Sequence, residues 1–368
     1  MKICCLIDSL NSGGAQRQMT WLVRALTGNG HEVRLLTYHQ YPHYLSLIRD
    51  CGVEPENIES STKFGRFWNF RSAVRMQRPD VILSFLDTPN FIGLFAGMWP
   101  SRIPVIVSER NHDIGGRSRT TNTRFNLFRN ADRVVTNSYS QAGFVSEHYP
   151  FLRSKLRTIL NCVDLEMFVP SKRLISEKER KLIVAASIIP RKNAQNLIRG
   201  MRIAADQGAR VSVDWYGNNL FHNGEPTEGS GYYLEAVELV TSLQLSEQFQ
   251  FHDPVSNLHE LYPTYDGCLL PSFREGCPNV ICESMSAGLP ALVSDHGDMK
   301  RMVDEAGGFR FAPQSPESIA EAIAQFTNMS SADCQMMGDR NRHWAEQHLS
   351  PERFASEYEA IIQEVVSA

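Results

Sequence analysis

Short apolar runs recur along the chain, and stretches with apolar residues at three- and four-residue spacing separate them. The first run, KICCLI, leads into a helical pattern over 14–28 whose apolar face is Met19, Leu22, Val23 and Leu26. EVRLLTY, a helix near 67–77, DVILSF, IPVIVSE and RVVTNS follow. Runs that are apolar throughout suit strands buried on both faces, and their alternation with helices predicts βαβ units and a parallel sheet. The rhythm restarts at KLIVAAS and continues through VSVDWYG, FQFHD, GCLLPS, PALVSD and GFRFA, which predicts a second sheet of the same kind.

Between the halves, NCVDLEMFVPSKRLISEKERK is charged, contains a proline and has few apolar residues, so a hinge is expected with the boundary near Pro170. That gives domains of 1–170 and 171–350. Phe354, Tyr358, Ile361, Ile362 and Val365 repeat at helical spacing after Pro351, so a terminal helix over 351–368 is expected to cross back onto the first domain. Ligands of doubly wound sheets sit beyond the carboxyl ends of the strands, and two such sheets facing each other would place a cleft between the domains.

Composition narrows the picture. A chain of 368 residues, 42% hydrophobic and 21% charged, has material for two cores. It has no apolar run near the ~20 residues of a membrane span. The apolar stretch before Asp8 is shorter than the core of a signal peptide, so a cytoplasmic location is expected. Eight cysteines form no CxxC pair, which favours reduced thiols over zinc or disulfides.

The net charge of -4 hides an asymmetry. Residues 1–170 hold 20 Lys and Arg against 14 Asp and Glu, a net of +6, while residues 171–368 hold 17 against 27, a net of -10. The basic excess centres on KFGRFWNFRSAVRMQRP, where Lys63, Arg66, Arg71, Arg75 and Arg78 interleave with Phe64, Phe67, Trp68 and Phe70. Aromatics on one side flanked by cations would suit an anionic membrane surface, and an amphipathic helix packed on a sheet has the same composition. No nucleic-acid motif accompanies the patch, and nucleic acid is not expected as a partner.

Three segments could carry chemistry. The first strand ends in DSLNSGGAQRQ, where Gly13 and Gly14 open a helix and would let backbone N–H groups approach a phosphate or sugar oxygen. The spacing is not GxGxxG, which disfavours a dinucleotide site, and a plain strand-to-helix turn would look the same. SIIPRKN places Arg191 and Lys192 just after a strand, where a fork and a point charge suit a diphosphate. LLPSFREGCPNVICESMSAGLPALVSD sets Glu275 in a loop and Glu283 in the following helix, with Gly276, Cys277 and Asn279 offering backbone donors between them.

These phrases, with GHEVRLLT, PDVILSF, NCVDLEMFVP, FHDPVSNLHELY and APQSPESIAEAI, resemble the family 4 glycosyltransferases over nearly the whole chain. The resemblance implies the GT-B fold, α/β with two Rossmann-like domains facing each other across a cleft. It also implies transfer from a nucleotide sugar with retention, without a metal or other cofactor, and uridine is the expected base. By resemblance Glu283 would bind the ribose, Glu275 the donor sugar, Arg191 and Lys192 the diphosphate with Gly14 beneath it, and the backbone around Val255 the base. His112, in VSERNHD, would lie by the transferred sugar and joins Glu275 and Lys192 as a catalytic candidate, with Arg110 or Asp113 as substitutes. The family's Gly-Arg is here Ala186-Ser187, and Cys162 replaces a Gly at the join. A glycan or polyprenyl-diphosphate-linked acceptor in bacterial surface-polysaccharide synthesis is expected, with peripheral attachment to the inner membrane leaflet through 63–78. A nucleotide-sugar epimerase and a non-catalytic binding subunit remain the alternatives.

Overall fold

The computed structural model describes residues 1–98, 102–110, 116–171, 179–219, 221–222, 225–226 and 230–367. The chain divides into two compact units, Met1–Cys162 with Pro351–Ala368, and Val163–Ser350.

Among the described residues, the first unit is built on seven strands: β1 (Lys2–Leu6), β2 (Glu32–Thr37), β3 (Glu56–Asn57), β4 (Val81–Phe85), β5 (Val105–Glu109), β6 (Arg133–Thr136) and β7 (Leu156–Thr158). They pair in parallel in the order β3-β2-β1-β4-β5-β6-β7. The helix Gly14–Gly28 buries Met19, Leu22, Val23 and Leu26, as its spacing predicts.

The second unit contains β8 (Arg180–Ala185), β9 (Val211–Tyr216), a small antiparallel pair of β10 (Phe221–His222) and β11 (Glu225–Pro226), and then β12 (Phe249–His252), β13 (Gly267–Leu270), β14 (Ala291–Ser294) and β15 (Phe309–Phe311). Its main sheet is parallel in the order β12-β9-β8-β13-β14-β15. Both units are therefore doubly wound α/β sheets, with the strand order reversing beside β1 in one and beside β8 in the other.

The units meet in sequence at Cys162–Val163 rather than at Pro170. The intervening segment is already anchored in the second unit: Arg342 donates to the carbonyls of Leu165 and Phe168 at 3.2 and 2.7 Å. Phe168 also packs against Tyr262. Polar composition marks the charged stretch but not these backbone anchors.

The helix Pro351–Val366 completes the first unit. Phe354, Tyr358, Ile361, Ile362 and Val365 enter the cluster formed by Ile3, Leu22 and Phe85. Burial of each such side chain contributes about 1.5–3 kcal/mol. Polar ties fix its rotation: Tyr358 Oη accepts from Arg110 at 3.0 Å, and Glu364 pairs with Arg133 and Arg157. The Arg133 bond holds the Glu364 carboxyl below its ordinary range.

The basic, aromatic stretch forms the helix Lys63–Gln77, but its aromatics do not share one free face. Phe70 and Val74 turn into the core, while Phe64 and Trp68 stay 74% and 51% exposed. The cations are partly engaged. Arg66 stacks over Tyr38, and Arg71 and Arg75 donate to the carbonyls of Phe95 and Met98 near the end of the helix Asp87–Gly97. Among the described residues, no helix is long and apolar enough to cross a membrane.

Candidate active site

In the second unit the strand order reverses between β8 and β13, and the carboxyl ends of these two strands bring Arg191, Lys192 and Glu275 together. After β8 the chain makes a single 3₁₀ turn, Pro190–Lys192, and then enters the helix Ala194–Asp206. The residue between them, Asn193, adopts φ 64°, a left-handed conformation that asparagine tolerates better than most side chains. Buried there, its Nδ2 donates to the carbonyls of Pro271 and Pro313 at 3.0 and 2.7 Å, tying the turn to the loops after β13 and β15. Phe273 N donates to Arg191 O at 2.9 Å, and Arg191 Nη1 donates to Arg274 O at 3.0 Å.

This lacing sets Lys192 Nζ 2.5 Å and Arg191 Nη1 3.2 Å from the same Glu275 oxygen, Oε1. The Lys192 and Glu275 side chains are only 15% and 11% exposed, whereas Arg191 is 49% exposed. Two cations on one carboxylate leave one positive charge in excess. Partial burial lowers the local dielectric, so the excess acts strongly on an incoming anion.

Gly276, Cys277 and Pro278 lead from Glu275 into the helix Asn279–Ser286, whose start has no side-chain cap. Cys277 and Cys282 are both buried, with their sulfurs 3.4 Å apart. Glu283 is buried one turn into the helix. Burial pushes the nearby Cys268 thiol up to about 12, with the Glu283 charge adding to the rise. Glu283 thus lies below the surface that Glu275 reaches. Val255 stands apart, exposed on the loop after β12 at the sheet edge.

Sequence reasoning missed three residues here. Asn193 carried a signal in its type and place, between a cationic turn and a helix. Ser272 and His296 carried none: Ser272 Oγ and His296 Nε2 are shielded from solvent and have no hydrogen-bond partner among the described residues. Both follow strands of this carboxyl edge, β13 and β14. Ala186 and Ser187, where the resemblance marks a departure, press against β9. A Cβ on Gly217 would fall 1.8 Å from Ala186 O.

In the first unit Gly13 caps the helix Gly14–Gly28 without a side-chain bond. That end is less bare than the glycine pair suggests. Gly13 N donates to Asn11 Oδ1 at 3.0 Å, and Gln16 Oε1 would lie 2.1 Å from a Cβ at Gly13. Gln16 in turn donates to Asp8 Oδ1 at 2.8 Å. Leu86, which follows β4 at the reversal point, has φ 76° and ψ 158°, a region that costs a branched side chain about 1–3 kcal/mol. Nothing in its residue type announces this. Arg110 is tied down by Asn161 and Tyr358, at 2.7 and 3.0 Å, and stacks over Phe85. His112 and Asp113 lie outside the described residues.

Two doubly wound units, one carrying two cations and a helix start without a side-chain cap at its carboxyl edge, set the chain beside two-domain transferases. Models of protein families match in tandem: Glycosyltransferase Family 4 over residues 12–167 and Glycosyl transferases group 1 over residues 168–344. The chain belongs to the family 4 glycosyltransferases and has their GT-B fold.

A Campylobacter jejuni GalNAc-alpha-(1->4)-GalNAc-alpha-(1->3)-diNAcBac-PP-undecaprenol alpha-1,4-N-acetyl-D-galactosaminyltransferase is 24% identical, over 77% of each chain. The putative glycosyltransferase EpsF of Bacillus subtilis is 24% identical over 88% of this chain and 87% of its own. Among solved structures, Anabaena Alr3699/HepE in complex with UDP and glucose superimposes with a TM-score of 0.81 at 18% identity, covering 99% of this chain and all of that one.

Proposed function

We propose that this glycosyltransferase moves a sugar from a nucleoside diphosphate sugar, with UDP as the nucleotide, onto a glycan or polyprenyl-diphosphate-linked acceptor of bacterial surface-polysaccharide assembly, with retention of configuration. The observation that carries the reading is the convergence of Lys192 and Arg191 on one oxygen of Glu275 at the strand-order reversal of the second unit. A diphosphate arriving there meets the excess positive charge and the positive end of the helix Asn279–Ser286, whose start has no side-chain cap. Once the phosphate takes the cations, Glu275 is free to accept hydrogen bonds from the sugar hydroxyls.

In transfer, charge builds on the departing diphosphate, and Lys192 and Arg191 stabilise it in place. The departing phosphate can take the proton of the acceptor hydroxyl on the same face, so no separate strong base is needed. The reading assigns Gly276, Cys277 and Asn279 to the phosphate amides, Glu283 to the ribose and Val255 to the base. Gly13 and Gly14 serve as phosphate-facing amides, and His112 stays the candidate beside the transferred sugar. No metal is assigned a role. The acceptor class is supported by the Campylobacter relative, whose name specifies an undecaprenol-linked glycan. Phe64 and Trp68, exposed beside the Arg66, Arg71 and Arg75 cluster, support contact with anionic lipid.

A thermal-shift panel of nucleoside diphosphate sugars tests the donor assignment. A ligand at 100 times its Kd raises stability by about 2.7 kcal/mol, and the UDP sugars are expected to give the largest rise in Tm. No rise with any of them would overturn it. Incubating the stabilising donor with a lipid-linked acceptor then separates transfer, which makes a new glycan, from epimerisation, which isomerises the donor alone, and from binding without turnover.

A further inference from the structure

The first unit holds a cavity of about 520 Å³ at the carboxyl edge of its sheet, beyond β2 and β3. That volume lies within the range of small-molecule sites, about 300–1,000 Å³. Leu10, from the β1 loop, forms one wall, and the loop after β2 forms another with His39 and Tyr41. Leu10 is four residues from Gly14, so the cavity opens within about 14 Å of the helix start proposed to face the phosphate.

Its walls have a distinct chemistry. Tyr41 is 56% exposed, a large aromatic left in solvent at a cavity mouth, and it continues a ladder of rings with His39 and Tyr38 at centroid separations of 6.2 and 4.7 Å. The electron-rich face of such a ring accepts the C–H edge of a sugar. Opposite charges at the rim neutralise each other: Arg49 grips Glu54 through Nε and Nη2 at 2.8 and 2.6 Å. A charged ligand therefore finds no unpaired counter-charge here. Asn57, at the end of β3, lines the cavity with its Oδ1 shielded from solvent and without a hydrogen-bond partner among the described residues. A shielded acceptor of this kind favours a ligand that brings an N–H or O–H donor. Leu10, largely buried, and Leu45 supply the apolar part of the same lining.

We propose that this cavity is an acceptor subsite for an uncharged N-acetylhexosamine residue of the glycan being extended, one other than the residue that receives the new sugar. The ring lies on Tyr41, the acetamido N–H donates to Asn57 Oδ1, and the acetamido methyl rests on Leu10 and Leu45. The assignment deepens the glycosyltransferase reading above and rests on it for the word acceptor. It makes the first unit selective for what has already been built, independently of the donor that the second unit holds.

Ligand-observed saturation-transfer NMR on the full chain tests it, with N-acetylglucosamine, N-acetylgalactosamine, glucose and galactose as probes and the donor edge filled with the best binder among UDP, GDP and ADP. The expected result is saturation concentrated on the acetamido methyl, with signals at least fivefold weaker for the two plain hexoses. Tyr41→Ala, at an exposed position that leaves the core intact, is expected to lower the acetamido signal at least fivefold. Asn57→Leu, checked for folding by circular dichroism, is expected to abolish the preference for acetamido sugars. Equal saturation by all four sugars, no saturation by any, or an unchanged signal in Tyr41→Ala overturns the proposal. Melting of the same samples separates the two claims. A chain stabilised by a nucleotide but silent to acetamido sugars sinks the cavity assignment alone. A chain that binds acetamido sugars but is stabilised by no nucleotide sinks the donor reading instead.

Discussion

The two units share a strand order around their reversal points, yet they furnish the carboxyl edge differently. In the second unit, charged side chains converge on one another through loops pinned by Asn193 and by backbone bonds between Arg191 and the Phe273–Arg274 segment. In the first, Leu10, Tyr41 and Asn57 line the edge beside charges that are paired, Arg49 with Glu54, and Arg110 is committed to Asn161 and Tyr358. A doubly wound sheet fixes where a ligand lies. The residues at the ends of its strands decide which ligand: the Lys192–Arg191–Glu275 edge suits an anion, and the cavity beyond β2 and β3 a neutral ring.

The largest effect expected is on chemistry at the charged edge. Lys192→Ala or Glu275→Ala should lower kcat/KM for transfer by about 10²–10³-fold with the far-UV circular dichroism unchanged. Full activity in either variant would place the reaction elsewhere. A large structural effect belongs to the other unit. Tyr358→Ala removes a fully buried ring and its bonds to Arg110 and Ser108, and is expected to cost about 3–5 kcal/mol, read as a lower denaturant midpoint.

A paired substitution then compares how tightly each edge is built. Gly217→Ala meets the backbone oxygen of Ala186, which cannot step aside, so a loss of about 1–3 kcal/mol is expected. Gly13→Ala meets only the ends of Gln16 and Asn11, which can rotate, and should cost less than about 1 kcal/mol. Equal losses from the two would contradict the contrast. The smallest change lies on the surface. Trp68→Ser should leave the melting temperature nearly unmoved but reduce flotation with vesicles containing phosphatidylglycerol, an attraction that added salt also weakens. Flotation that ignores both salt and the substitution would remove the lipid contact from the reading.

The sequence made the architecture legible because long apolar runs have few other places to go. β1, β4, β5, β8, β13 and β14 are written as continuous hydrophobic segments, and the helix Gly14–Gly28 as a clear stripe. The edge strands β3 and β7, of two and three residues, are too short to leave a period. Of the candidate site, the meeting of Arg191, Lys192 and Glu275 was legible from motif and position, since each follows a strand. The clamp by Asn193, the shielded Ser272 and His296 atoms, and the left-handed Leu86 arise from tertiary bonds and loop geometry that no local spacing encodes. The aromatic stretch over 63–78 was legible only as composition. Which ring turned inward was decided by packing against the sheet, and Phe70 went in while Trp68 stayed out.

The helix Pro351–Val366 has a consequence for the order in which the molecule is made. The first 162 residues leave the ribosome without the segment that covers one side of their sheet, and the 188 residues of the second unit are synthesised before it arrives. At translation rates of about 5–20 residues per second that interval lasts about 10–40 s. Through it, Ile3, Leu22 and Phe85 face water where Phe354 and Tyr358 will later sit. Nascent chains arrested at residue 345 should therefore be cleaved within the first unit by a protease that spares the same sites in the released protein, and the early domain matures last.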